Sequence, residues 1–435
     1  MDGEKEMPNK LSKNSNLAAS TLPDTIMQQH RAIAFVCHPY HRGGVTRWMA
    51  DAAIHTANSG WKVYFVTVSP RKPFKNAGGR ETMQELLAPY KNKLALISEE
   101  AGYEFEFGTE RYRAYIYSKL LQANVPEGAA VIASDDSATW AAVADVADKY
   151  KMIGVLHGDQ TYYYDIAGKY AMQLSAAICV SGRTKKTLAT KYPSISTDKT
   201  FMIPCGIALP KVNRNTNNSG VTRLIFVGRL SDYEKRAYDL VTICSALKGK
   251  KVNFRLDIVG NSEESKIEYT VLFDKKGVGE NISFHGWQPA TKVQKLLSES
   301  DILLLTSNSE GMPLVMMEAL ASGCAFLGTR VSGIEDFEQH RYAEKCFAVY
   351  AIGDVMDAAN KIVVLSNIPM AERETAAVEL ATTEFGMEVC MTRYQEAIDK
   401  TASAVMKPAK LNMGTIEKMK SRLRAVVRNV KMSLK

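Results

Sequence analysis

The sequence predicts an α/β protein built from two Rossmann-like, doubly wound domains that face each other across a cleft. Three observations lead there. At 435 residues the chain exceeds one ordinary core and suits two domains of average size. Short apolar runs alternate with helix-length amphipathic stretches almost throughout, the pattern of parallel sheets covered by helices. The alternation breaks at PCGIALPKVNRNTNNSG (204–220) and then resumes, so one such unit follows another.

Residues 1–30 are polar, of mixed charge, and lack the basic-then-apolar order of a signal peptide, so they read as a disordered lead. Residues 31–204 form the first domain, with strands in RAIAFVCH, WKVYFVTVS, GAAVIAS, KMIGVLHG, SAAICVS and TFMIP and a helix over 45–58. Residues 205–385 form the second, with strands in TRLIFVGRL, FRLDIVG, NISFHG, DILLLTS and CAFLGT. Residues 386–411 read as a helix crossing back to the first domain, and 412–435 as a basic amphipathic helix. Tandem units of this kind place a crevice at the carboxyl ends of both sets of strands.

A hydrophobic share of 46% and a charged share of 23% exclude a disordered or membrane-spanning chain. No apolar run reaches the roughly 18 residues that cross a bilayer. The seven cysteines stand at unpaired spacings and read as buried free thiols of a reducing compartment. Residues 401–435 hold nine Lys or Arg and one acid, Glu417, which accounts for the whole net charge of +8. The body of the protein is therefore neutral, unlike a nucleic-acid binder with a basic groove.

The most informative stretch is DILLLTSNSEGMPLVMMEALASG (301–323). A buried strand ends at Thr306, a polar loop carries Glu310, and Pro313 suits the start of a helix running from Leu314 to Ala321. That helix is apolar almost all round except for Glu318, and a buried carboxylate is costly without a partner. The helix N-terminus offers free N–H groups to a phosphate. Glu310 and Glu318 lie roughly 8–12 Å apart at a rise of about 1.5 Å per residue, the span from the sugar to the ribose of a nucleotide sugar. Upstream, LIFVGRLSDYEKRAYDL places Arg229 directly after a strand and Lys235 after a short turn.

These segments resemble glycosyltransferase family four, the retaining group with the GT-B fold and a Glu, seven residues, Glu signature; the likeness continues through TRVSGIED (329–336). The resemblance implies that Glu310 orients the donor sugar, that Glu318 binds the ribose, and that the amides of Gly311, Met312 and Leu314 face the diphosphate. It implies a role for the Gly43-Gly44 turn near the donor phosphates or acceptor, and for His157 beside the anomeric carbon. It also implies that the two cations Arg229 and Lys235 stabilise a departing diphosphate, a role that Arg236, the next residue, can share. The family usually has Gly after the lysine, where this chain has Arg236. Trp287, after NISFHG, stands where a base stacks. Asp159, Tyr162 and Tyr164 are placed on the acceptor side, with core packing open for the tyrosines. Cys37, His38 and His41 do not make a zinc pattern, and Asp135-Asp136 read as a helix cap. No metal and no cofactor are expected.

The tail helix has an apolar stripe at Ile416, Met419, Leu423, Val426, Val427, Val430 and Leu434 among basic residues. It suits an anionic membrane surface, with packing on the first domain left open. The reading is a cytoplasmic, peripheral, retaining, metal-independent hexosyltransferase-like enzyme. It uses a nucleotide-diphosphate sugar, UDP-sugar favoured, and a glycan or lipid-linked acceptor of cell-envelope polysaccharide or glycoconjugate synthesis, with no nucleic acid. A phosphorylase, a nucleotide-sugar epimerase and a non-catalytic partner of the same architecture stay open.

Overall fold

The computed structural model describes residues 31–40, 43–71, 81–210, 214, 220–401, 406–411 and 413–433. The expected N-terminal lead, His41, Leu434 and much of the 204–220 break lie outside them.

Runs of branched and aromatic residues build two wholly parallel sheets. β1 (Ala32–Val36), β2 (Lys62–Pro70), β3 (Ala95–Ala101), β4 (Ala130–Ala133), β5 (Lys151–Leu156), β6 (Leu174–Cys179) and β7 (Thr200–Met202) form the first. Their order is β3-β2-β1-β4-β5-β6-β7. β8 (Thr222–Val227), β9 (Phe254–Val259), β10 (Ile282–Gly286), β11 (Ile302–Leu305), β12 (Ala325–Thr329) and β13 (Phe347–Tyr350) form the second, in the order β10-β9-β8-β11-β12-β13. Central strands such as β4 and β11 are buried at every residue, as helices on both faces of a parallel sheet require. Register is set by apolar neighbours: Phe35 faces Phe65 on one side and Ile132 on the other, and Leu224 faces Ile302.

β3 and β13 have no counterpart among the strands expected from sequence. Both are edge strands. β3 (ALISEEA) is mostly half-buried or exposed, so the continuous apolar run that marks a central strand is missing.

The helices that matter below follow in chain order: α1 (Gly44–Asn58), α2 (Tyr103–Glu106), α3 (Glu110–Asn124), α4 (Ser137–Asp145), α5 (Thr161–Lys169), α6 (Gly182–Lys191), α7 (Asp232–Lys235), α8 (Leu314–Ala321), α9 (Met387–Lys400) and α10 (Thr415–Ser433). Asp136 caps α4 by accepting from the Ala138 N–H at 2.9 Å. The seven cysteines are buried and free.

The strand order reverses direction between β1 and β4 and again between β8 and β11. At such switch points the loops leave in opposite directions and open a crevice. Two chain crossings join the halves. The Ile207 N–H donates to the Phe385 carbonyl, and the Met387 N–H to the Ile207 carbonyl, both at 2.8 Å. Beyond them α9 packs on α1, with the Tyr394 ring 5.6 Å from that of Trp48. The chain then runs along the first sheet's helices, where the Leu411 N–H donates to Asp145 at 2.7 Å.

Candidate active site

The loops after β8 and β11 brace each other. The Asn308 N–H donates to the Glu234 carbonyl at 2.9 Å, and its side-chain amide donates to the Tyr233 carbonyl at 2.7 Å. The Thr329 hydroxyl holds the Ser307 carbonyl at 2.6 Å. Backbone groups pinned in this way leave the side chains little freedom. Lys235 Nζ consequently lies 2.5 Å from Glu310 Oε1, and the Ser307 hydroxyl donates to the same oxygen at 2.6 Å. Both bonds use Oε1, which leaves Oε2 for a ligand.

Two helix N-termini meet this pair. α8 begins after Pro313 and α1 after Gly43, and neither has a side-chain cap. Gly43 sits at φ +131°, a conformation that L side chains rarely adopt. Gly44, Val45 and Trp48 from one sheet's helix, and Gly311 to Val315 from the other's, line one cavity of about 320 Å³ with His157, Cys205, Lys235 and Glu310. Uncapped first turns present N–H donors and the positive end of the helix dipole. With the Lys235 ammonium they make a pocket suited to a diphosphate.

His157 closes the inner wall. Its ring is buried edge-on to Trp48 at 5.3 Å, and its Nε2 has no hydrogen-bond partner. Burial drives its pKa down to about 3, so the imidazole is neutral at physiological pH. His157 also lines the cavity, and a buried ring nitrogen without a partner is an unmet hydrogen bond. The two halves touch here: a Cβ on Gly311 would stand 1.9 Å from the His157 carbonyl oxygen, and, within the second half, one on Gly333 would stand 1.8 Å from the Gly311 carbonyl oxygen. Glycine is required at both positions.

Glu318 is half-buried on α8 and faces Arg47 on α1. Burial raises its pKa, which Arg47 opposes and Asp51 reinforces. Arg47 is already paired with Asp51 at 2.7 Å. Sequence reasoning named Glu318 but missed Arg47, Trp48 and Ser307, whose places near the site come from other elements.

Other sequence-predicted residues lie apart from the cavity. Arg229, expected beside Lys235, is 76% exposed and bound to Glu234 at 2.6 Å, and the cavity lining includes Lys235 but not Arg229. Arg236 adopts a left-handed backbone at φ 45° and turns to Asp239 at 2.7 Å. Lys235, and not Arg236, lines the cavity. Trp287 is 80% exposed beyond β10. On α5, Tyr164 is buried and bound to Asp159, whereas Tyr162 is exposed and donates to the Asp135 carbonyl at 2.6 Å. The first of these tyrosines is core; the second is surface.

A clasp joins the halves beside the cavity. Ser181 and Ser332 hydroxyls lie 2.7 Å apart, the Gly182 N–H at the start of α6 donates to Asp336 at 2.9 Å, and Arg183 grips Glu335 through two bonds of 2.7 and 2.5 Å. The VSGIED run therefore serves as a contact between domains.

Known proteins share this architecture and parts of this sequence. The amylovoran biosynthesis glycosyltransferase AmsK of Erwinia amylovora is 24% identical over 192 residues, 41% of this chain and 45% of that protein. The lipopolysaccharide 1,6-galactosyltransferase of Escherichia coli K12 is 33% identical over 120 residues, 26% of this chain and 32% of that protein. The matches thus span less than half the length of these curated relatives. The crystal structure of Anabaena Alr3699/HepE in complex with UDP and glucose superposes with a TM-score of 0.63 at 15% identity, covering 85% of this chain and all of that one. Residues 211–377, the greater part of the second domain, match the family model for glycosyl transferases group 1.

Proposed function

We propose that this protein transfers a glycosyl group from a nucleotide-diphosphate sugar, UDP-sugar above others, to a hydroxyl of a glycan or lipid-linked acceptor in cell-envelope polysaccharide or glycoconjugate synthesis, with retention of anomeric configuration. The observation that carries this reading is the convergence of two uncapped helix N-termini and Lys235 on one cavity that is also lined by Glu310 and His157. UDP is favoured because HepE, alike in fold, binds it, and the curated relatives act in envelope polysaccharide synthesis by their names.

In this mechanism the diphosphate lies across the first turns of α1 and α8, and Lys235 moves from Glu310 to the β-phosphate as negative charge grows there. Arg229 swings in from Glu234 to join it. Glu310 then orients sugar hydroxyls, Glu318 accepts from the ribose, and neutral His157 meets a hydroxyl near the anomeric carbon. Trp287 stacks on the base. The Cys205 thiol, also in the cavity, has its pKa pushed up by burial and is no nucleophile at neutral pH. Attack by the acceptor on the face the nucleotide leaves therefore fits better than a covalent intermediate. These residues supply charge stabilisation without a divalent ion. The test is calorimetric titration with UDP, GDP and ADP in chelator, followed by NMR of the product anomer. Tight UDP binding and a retained anomer support the reading. An inverted product refutes the retaining step, and failure of every nucleotide to bind refutes the donor site.

A further inference from the structure

α10 is docked with its apolar side facing away from the protein. Ser421 and Ala425 are fully buried against the first domain. The Thr109 N–H, between α2 and α3, donates to the Ser421 hydroxyl at 3.0 Å, and Lys418 donates to the Tyr115 hydroxyl at 3.1 Å with its ammonium 4.5 Å from that ring's centre. At about 100° per residue the docking positions 418, 421 and 425 share one side of the helix. Ile416, Met419, Leu423, Val426, Val427 and Val430 lie on the other side, and all six are exposed, Leu423 to 66%. An amphipathic helix normally buries its apolar face. Here small and polar residues make the protein contact, and the aliphatic stripe is presented outward.

The charges beside the stripe select what covers it. Lys420, Arg424 and Lys431 lie along one flank and Arg422 along the other, and the helix holds a single acid, Glu417. The stripe's spacing of three and four would also suit a coiled coil with a second copy, but that pairing would bring Lys420 and Arg422 against their own kind. An anionic lipid surface instead matches both the stripe and its flanks. Among the described residues no helix is long and apolar enough to cross a membrane, so α10 would lie in the interface plane.

We infer that α10 is a rigidly docked membrane foot that seats the first domain on an anionic bilayer. Its anchor on α2 and α3, directly after β3, puts the bilayer against the first domain. The inference rests on the helix and stands apart from the donor-site reading.

Flotation of the full chain with vesicles of phosphatidylcholine containing about one-third phosphatidylglycerol tests it, beside pure phosphatidylcholine. The expected result is at least about tenfold stronger binding to the anionic vesicles, weakened by salt and lost to a similar extent in Leu423→Glu/Val427→Glu. Both substituted positions face solvent, so the melting temperature and UDP titration of the variant should equal those of the parent. Equal flotation of parent and variant would overturn the inference. So would a dimer, seen by light scattering without lipid, that the same variant dissolves. If vesicles bind while UDP does not, the donor reading falls and the membrane foot stands.

Discussion

At the scale of single residues, burial disfavours the charged form of both Glu318 and His157. Glu318 is half-buried opposite an arginine already committed to Asp51, and its pKa is raised. A carboxylate whose folded pKa exceeds its unfolded value subtracts stability above the folded pKa, and that penalty fades as pH falls through the usual carboxylate range. Glu318→Gln should therefore leave the melting temperature unchanged or raise it, while weakening UDP binding at least about tenfold, or about 1.4 kcal/mol; melting curves and calorimetry on one sample would check both. His157 runs the other way. Its folded pKa of about 3 lies below the ordinary imidazole value of 6.5, so the unfolded chain takes up a proton first. Stability from this group is intact above 6.5 and falls by up to about 1.4 kcal/mol per pH unit below it. Urea denaturation at pH 7 and pH 5 should show the parent losing about 2 kcal/mol more than His157→Gln; equal losses would place the ring in water.

Among the elements, the loop before α8 and the start of α6 fix how the two halves meet. Gly311 lies between the His157 carbonyl and Gly333 with no room for a methyl group. Gly311→Ala must push backbone apart, at about 1–3 kcal/mol, and should lower UDP affinity by more than its effect on stability explains; paired denaturation and titration would separate the two. The clasp ranks its own members. Asp336 accepts the Gly182 N–H that opens α6, so Asp336→Ala should cost about 1 kcal/mol or more, as loss of a cap does. The Arg183–Glu335 pair is partly exposed, and Arg183→Ala should cost less than about 1 kcal/mol. The reverse order would show that the ion pair, not the helix cap, holds the clasp.

For the whole molecule, the site belongs to neither sheet alone. Its cavity is walled by α1 and His157 from one half and by α8 and Lys235 from the other. UDP should slow amide exchange in 44–48 and in 311–318 together. Protection confined to the second domain would remove the first-domain wall from the donor site.

Much of this was legible in the chain. Central strands announce themselves by apolar residues at every position, because both faces are covered. The bounds of α8 followed from Pro313 and an unbroken apolar run, the α4 cap from Asp136, and the tail helix from its period of three and four. All of these are local, set by neighbours a few residues away. The edge strand β3 escaped because one open side relaxes the pattern. Arg47 opposite Glu318, Ser181 against Ser332, the Gly311 contact with the His157 carbonyl, and the turning of Arg236 to Asp239 with Arg229 left on Glu234 were decided by the tertiary structure. So was the outward aim of the α10 stripe: its sequence shows two unlike faces, and only packing against α2 and α3 chose the small one for the protein. A sequence fixes what each face is made of, while which face meets which depends on contacts between residues hundreds of positions apart.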